Sequence, residues 1–400
     1  MRNLFLIFLF IQPLWAGTSF DLRESGFVST PKLSMDHSSW AYAATSSLES
    51  NILIEGSWDD QTVVKFPEKQ MLENNAFSKI YKGGDYKLAA AYLSNNGGVR
   101  ANSNKSFYFP RSIEWLTHGS FQVNIERIQE SIAQNGSVAS RSTKFIRPWE
   151  YDLDGEVIDF NFRILPPTQF VNIIGWDNER VVPPFQKGVW IVQDSRVRGG
   201  VNYFLTPYGG TWVGQDKESG GVSFNQLRTF NFKNIYSYAH HGWQYEFNAE
   251  KVSNLYQLKD ELPINIGIYT VIPDDSAVAI ISDLDGNILC HSKNRSLSNP
   301  GFYLLELACG NKDQLTQKVR VELITESGLY ALDGHKVYPG PTESDKPVLI
   351  KATSSYKESW VFKNGKWIDL KTYYFKEEKQ MGLIFNRSGS GNFAINLYTK

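Results

Sequence analysis

The chain has 400 residues, too many for one compact core, and about 150 residues per domain predicts two domains. Lys and Arg number 41 against 42 Asp and Glu, for a net charge of -1 with no basic run, which excludes a nucleic-acid or anionic-membrane partner recognised by bulk charge. Six His and two Cys, scattered without ligand spacing, predict no metal site and no bound cofactor. The 14% aromatic share favours a strand-rich architecture with surfaces that stack on sugars or peptides.

Arg2 precedes a short apolar run from Leu4 to Phe10, followed by Pro13 and Ala16. A positive start, a brief apolar stretch and a small exit residue predict a secretory signal over residues 1–16. The run falls short of the ~20 apolar residues that span a bilayer, so no membrane span is expected. The product is expected to be secreted, periplasmic or on the cell surface. In that setting Cys290 and Cys309 predict a disulfide.

An extended start at Phe20-Asp21-Leu22-Arg23 leads to Trp40–Leu53, whose apolar residues recur at helical spacing. A second helix is predicted after Pro67 and a third over Lys87–Leu93, stopped by Asn95-Asn96-Gly97-Gly98. A fourth spans Glu126–Asn135 and ends at Gly136. The texture then changes. Phe170–Trp176 and Val189–Val192 read as buried strands, while 196–221 reads as a Gly-rich, aromatic-rich loop. From Tyr245 onward, short strands are predicted at 264–271, 277–282, 288–291, 303–308, 360–363, 366–368, 381–385 and 393–398. Asn364-Gly365 is the clearest hairpin signal among them. Many short strands with frequent turns predict an antiparallel β-sandwich.

Several segments, in chain order, resemble the papain family of cysteine peptidases. His37-Ser38-Ser39-Trp40-Ala41-Tyr42 resembles the segment carrying the family's nucleophile, and Pro67–Met71 the opening of its next helix. Gly83-Gly84 is similar to the glycine pair that meets substrate backbone, and Gln134–Val138 to the turn before a central strand. Gln169–Trp176 and Trp190–Ser195 resemble the segments carrying the base and its orienting amide. The later region resembles the lectin-like β-domain that follows the peptidase in some bacterial members. The fold implied is α+β: a papain-like two-lobed domain (helical lobe plus β-barrel-like lobe) over 17–244, then an antiparallel β-sandwich over 245–400.

Carried over by position, the resemblance places the nucleophile at Ser39, the base at Gln169, the orienting group at Asp194 and the oxyanion donor at Leu33. The family pattern has Cys, His, Asn and Gln there. Serine without a base holds almost no alkoxide at neutral pH, and an amide cannot titrate in the useful range. A missing oxyanion donor alone costs about 10²–10³ in rate. Peptide hydrolysis is therefore expected to be lost. His37, two residues before Ser39, is the one candidate base close in sequence and reads as a solvated loop histidine. Trp40, Gly83 and Gly84 are expected to line a retained cleft for an extended peptide or protein ligand. A glycan is the expected ligand of the β-region. The competing expectation is a hydrolase using Ser39 with an unrecognised base.

Overall fold

The computed structural model describes residues 17–34, 38–56, 65–77, 84–102, 106–116, 125–143, 151–153, 156–159, 167–182, 187–198, 201–215, 220–310, 317–334, 336–338, 348–350, 352, 354–373 and 391–400. The expected signal segment 1–16, the expected strand at 381–385, Gly83 and His37 lie outside them. The architecture is mixed α and β, with few helices and extensive sheet.

Helices α1 (Ser39–Ile54), α2 (Lys69–Asn74), α3 (Tyr86–Asn96) and α4 (Ile125–Asn135) fall where the spacing places them. Helix α3 shows the local logic. The Asp85 side chain accepts from the Leu88 N–H at 3.1 Å to cap its start, and Gly97, at φ 69°, turns the chain out of its end. Helix α1 is buried almost all round, including Glu49, Ser50 and Asn51. Its polar side chains act as latches. The Ser50 hydroxyl donates to the Phe27 carbonyl at 2.7 Å, and Asn51 Nδ2 donates to the Asn135 carbonyl at 2.9 Å. Asn51 Oδ1 accepts from the Leu227 N–H at 3.0 Å. Satisfied in this way, buried polar groups fix the helix position rather than destabilise it.

Strands 138–143, 167–181, 187–198 and 201–207 pair antiparallel in that order. Ile128 and Ile132 of α4 join Val171, Ile173, Trp176, Trp190 and Val192 in one apolar cluster beneath them. The later region forms two packed sheets. Strands 263–270, 301–309 and 395–399 make one. Strands 251–257, 318–325 and 275–282 make the other, with 359–363 and 366–369 beyond 251–257. Ile266, Ile268, Leu305 and Leu397 of the first sheet face Val252, Ala279, Val319 and Val321 of the second. Cys290 and Cys309 stand directly opposite each other on neighbouring strands and form the expected disulfide.

The first of these sheets is buried on both faces. Tyr269, Phe302, Leu304 and Tyr398 alternate with the sandwich residues and point the other way, into a cluster with Tyr92, Leu93, Phe109 and Trp115. Strand 107–115 also pairs with the start of 301–309, Glu114 opposite Gly301 and Ser112 opposite Tyr303. Gly267 makes room for this packing, since a Cβ there would lie 2.7 Å from the Phe302 ring. The apolar core is therefore continuous across residue 244. Deleting the Phe302 ring by Phe302→Ala is expected to cost about 3–5 kcal/mol. Because both halves share that ring, thermal unfolding of the variant should stay a single transition when the signals of both halves are followed.

Candidate functional site

Ser39 opens α1, and its side chain is only 2% exposed. Its Oγ accepts the backbone N–H of Phe170 at 3.3 Å. The preceding residue, Gln169, sits in strand 167–181 and donates through Nε2 to Asp194 Oδ2 in the adjacent strand 187–198. Gln169 and Asp194 are both buried. The structure thus brings together Ser39, Gln169 and Asp194, the residues expected at the nucleophile, base and orienter positions, with Gln169 hydrogen-bonded to Asp194 next to Ser39.

Around this trio the other positions separate. Leu33 is 67% exposed, an apolar side chain with no donor to offer an oxyanion. Trp40 is buried, and Gly84 packs directly against it, so that a Cβ on Gly84 would fall 2.4 Å from the indole Nε1. Among the described residues, His240 and His291 are exposed and His241 is buried against Asp333, with Nδ1 3.2 Å from Oδ1.

Beside the trio lies a small depression, with room for about one water molecule, bordered by Pro31, Lys32, Tyr42, Asn172, Asp194 and Ser195. The Ser34 N–H donates to the Ser195 carbonyl at 2.8 Å, which ties the segment before α1 to strand 187–198. Asn172 Oδ1 and Ser195 Oγ are buried and make no hydrogen bond within the protein.

One cluster beside this depression escaped sequence reading. Lys32 Nζ lies 2.6 Å from Glu49 Oε1 and 2.6 Å from Glu68 Oε1, and it donates to the Phe66 carbonyl at 3.1 Å. Glu49 Oε1 also accepts the Phe66 N–H at 2.6 Å. Burial pushes the Glu49 carboxyl up, opposed by the Lys32 ammonium. Burial lowers Lys32, but the two carboxylates outweigh it and leave the ammonium above its usual value. The available signal was Glu49 itself, a charge within the apolar register of α1.

No protein-family model and no curated protein sequence matches the chain. Solved structures do resemble it, two of them of one protease. A clostridial cysteine protease, Cwp84 after propeptide cleavage, superposes with a TM-score of 0.74 at 15% identity, covering 96% of this chain and 100% of that one. A structure of the cysteine protease and lectin-like domains of Cwp84, a surface layer associated protein of Clostridium difficile, gives a TM-score of 0.74 at 15% identity over 96% and 89% of the two chains. The chain has the fold of a cysteine protease joined to a lectin-like domain. At this identity the likeness concerns the fold. Within that fold, Ser39, Gln169 and Asp194 lie together in this chain.

The buried ion cluster gives a stability test. Lys32→Met strands two carboxylates and is expected to cost about 3–5 kcal/mol in denaturant unfolding. Lys69→Ala removes an exposed ion pair with Glu73 and should cost under about 0.5 kcal/mol.

Proposed function

We propose that the chain is an exported cysteine-protease homologue without peptidase activity, whose cleft region holds an extended peptide or protein partner and whose β-region contacts a glycan. The hydrogen bond from Gln169 to Asp194 beside Ser39 carries this reading. Acyl transfer needs a group that accepts the nucleophile's proton and returns it to the leaving amine. Gln169 can do neither. Asp194 spends a carboxylate oxygen on the Gln169 amide, and the Ser39 oxygen already accepts an N–H. The positive end of α1 favours an alkoxide by only about 0.3–1 kcal/mol, far below the gap between a serine hydroxyl and neutral pH.

The depression supports the binding half of the proposal. The Asn172 and Ser195 oxygens beside it are buried and unpaired among the described residues, and a peptide that opened this surface would supply the N–H groups they lack. No helix among the described residues is long and apolar enough to cross a membrane. Export rests on the signal-like start and on the likeness to a surface layer associated protein.

Residues 17–400, purified and offered casein and a peptide library, should show no turnover above that of Ser39→Ala. Turnover abolished by that substitution would instead establish a serine hydrolase with an unrecognised base. The joint substitution Ser39→Cys and Gln169→His supplies thiol and imidazole, with Asp194 already placed to orient the ring. It is expected to give measurable cleavage, held about 10²–10³ below a complete site by the missing donor at Leu33.

A further inference from the structure

Strands 366–369, 359–363, 251–257 and 318–325 lie side by side. Residues opposite one another across antiparallel strands share a face. Trp367, Phe362 and Lys251 form one row, and Asp369, Trp360, Ser253 and Glu322 the next, with Arg320 a step beyond opposite Leu255. The alternate residues Val252, Val319, Val321 and Val361 are buried on the core side, so these rows form the outer face.

Cations lie over its rings. The Arg320 guanidinium is 4.9 Å from the Trp367 centroid and 5.9 Å from that of Trp360, and Lys251 Nζ is 4.5 Å from that of Phe362. The acids here are already engaged. Glu322 is held by Lys251 at 2.9 Å, and the Asp369 oxygens accept the backbone N–H groups of Lys357 and Thr372. Three polar atoms on this face are buried and make no hydrogen bond among the described residues: Arg320 Nε, Trp360 Nε1 and Ser253 Oγ. Ser253 is 0% exposed. Exposed Lys318 stands at the margin, in step with Arg320 and Glu322. This face thus carries the cations Lys251, Arg320 and Lys318 against two engaged acids, Glu322 and Asp369, with two buried N–H donors left unpaired.

We propose that this sheet face binds an acidic polysaccharide, with a sugar carboxylate received by Arg320 and the Trp360 indole N–H. A guanidinium matches carboxylate geometry, and its charge-assisted bonds are the strong ones. The indole rings offer flat apolar surface to the C–H face of a sugar. An extended acidic peptide is the poorer fit, because peptides choose sheet edges and grooves and these rows cross the middle of a sheet. The inference rests on the glycan half of the proposed function and uses no residue of the Ser39 site.

The test is binding of residues 17–400 to polygalacturonate, with neutral dextran and poly-glutamate as comparators. Polygalacturonate is expected to bind, more weakly as salt rises, and dextran and poly-glutamate to bind at least about ten-fold more weakly. Arg320→Gln should weaken binding at least about ten-fold. Trp360→Phe, which keeps a ring but removes the N–H, should weaken it about three- to ten-fold. Unchanged unfolding midpoints establish that each variant folds, and Trp360→Phe carries the test if Arg320→Gln does not. Equal affinity for poly-glutamate, or affinity untouched by a folded variant, overturns the proposal. Binding to dextran alone would also overturn it, while leaving a glycan role for the β-region standing.

Discussion

The sheet made of strands 263–270, 301–309 and 395–399 is apolar on both faces, and the rest of the molecule is arranged around that fact. One face closes the sandwich through Ile266, Ile268, Leu305 and Leu397. The other, through Tyr269, Phe302, Leu304 and Tyr398, closes the core beneath α3 and strand 107–115. A sheet left bare on either side would expose large aromatic surface, so each half needs the other to be buried. Polar contacts set the register. Tyr398 donates to the Ser94 carbonyl at 2.7 Å, and Asn299 bridges Arg127 of α4 to Glu114. The arrangement also places the basic face of the outer sheet away from the Ser39 site by layer, so the two proposed binding functions do not compete for surface.

The same rigidity holds the surroundings of Ser39 in place independently of any chemistry there. Helix α1 is held by Ser50 and Asn51 against the turn at 135–137 and strand 222–229. Strands 167–181 and 187–198 are held by their own ladder. None of these constraints involves the chemistry of Ser39, Gln169 or Asp194. The glutamine amide donates to the aspartate much as a ring N–H would, but unlike an imidazole it does not titrate near neutral pH. Stability of the scaffold and competence of the site are separate properties here.

Much of this was legible in sequence because it is local. The four helices follow from apolar spacing and stop signals, and the hairpin at Asn364-Gly365 from turn chemistry. The meeting of Ser39, Gln169 and Asp194 followed from motif order. What stayed hidden depends on distant partners. Strand 107–115 contains Pro110, which argues against a strand. It is accommodated where the opposing strand turns irregular, at Gln226 with φ 53°. Strand 201–207 is flanked by glycines and was read as loop, and only pairing with 187–198 makes it extended. The Lys32 cluster and the basic sheet face each join charges far apart in sequence, so counting charge along the chain missed both.

The account turns on one chemical statement, that nothing activates the Ser39 hydroxyl. A fluorophosphonate reports this directly, because it modifies serines whose proton a neighbouring base removes and leaves ordinary hydroxyls alone. After prolonged exposure of the folded chain to the reagent at neutral pH, peptide mass mapping is expected to show Ser39 unmodified. Stoichiometric modification of Ser39 in the folded protein would contradict the account.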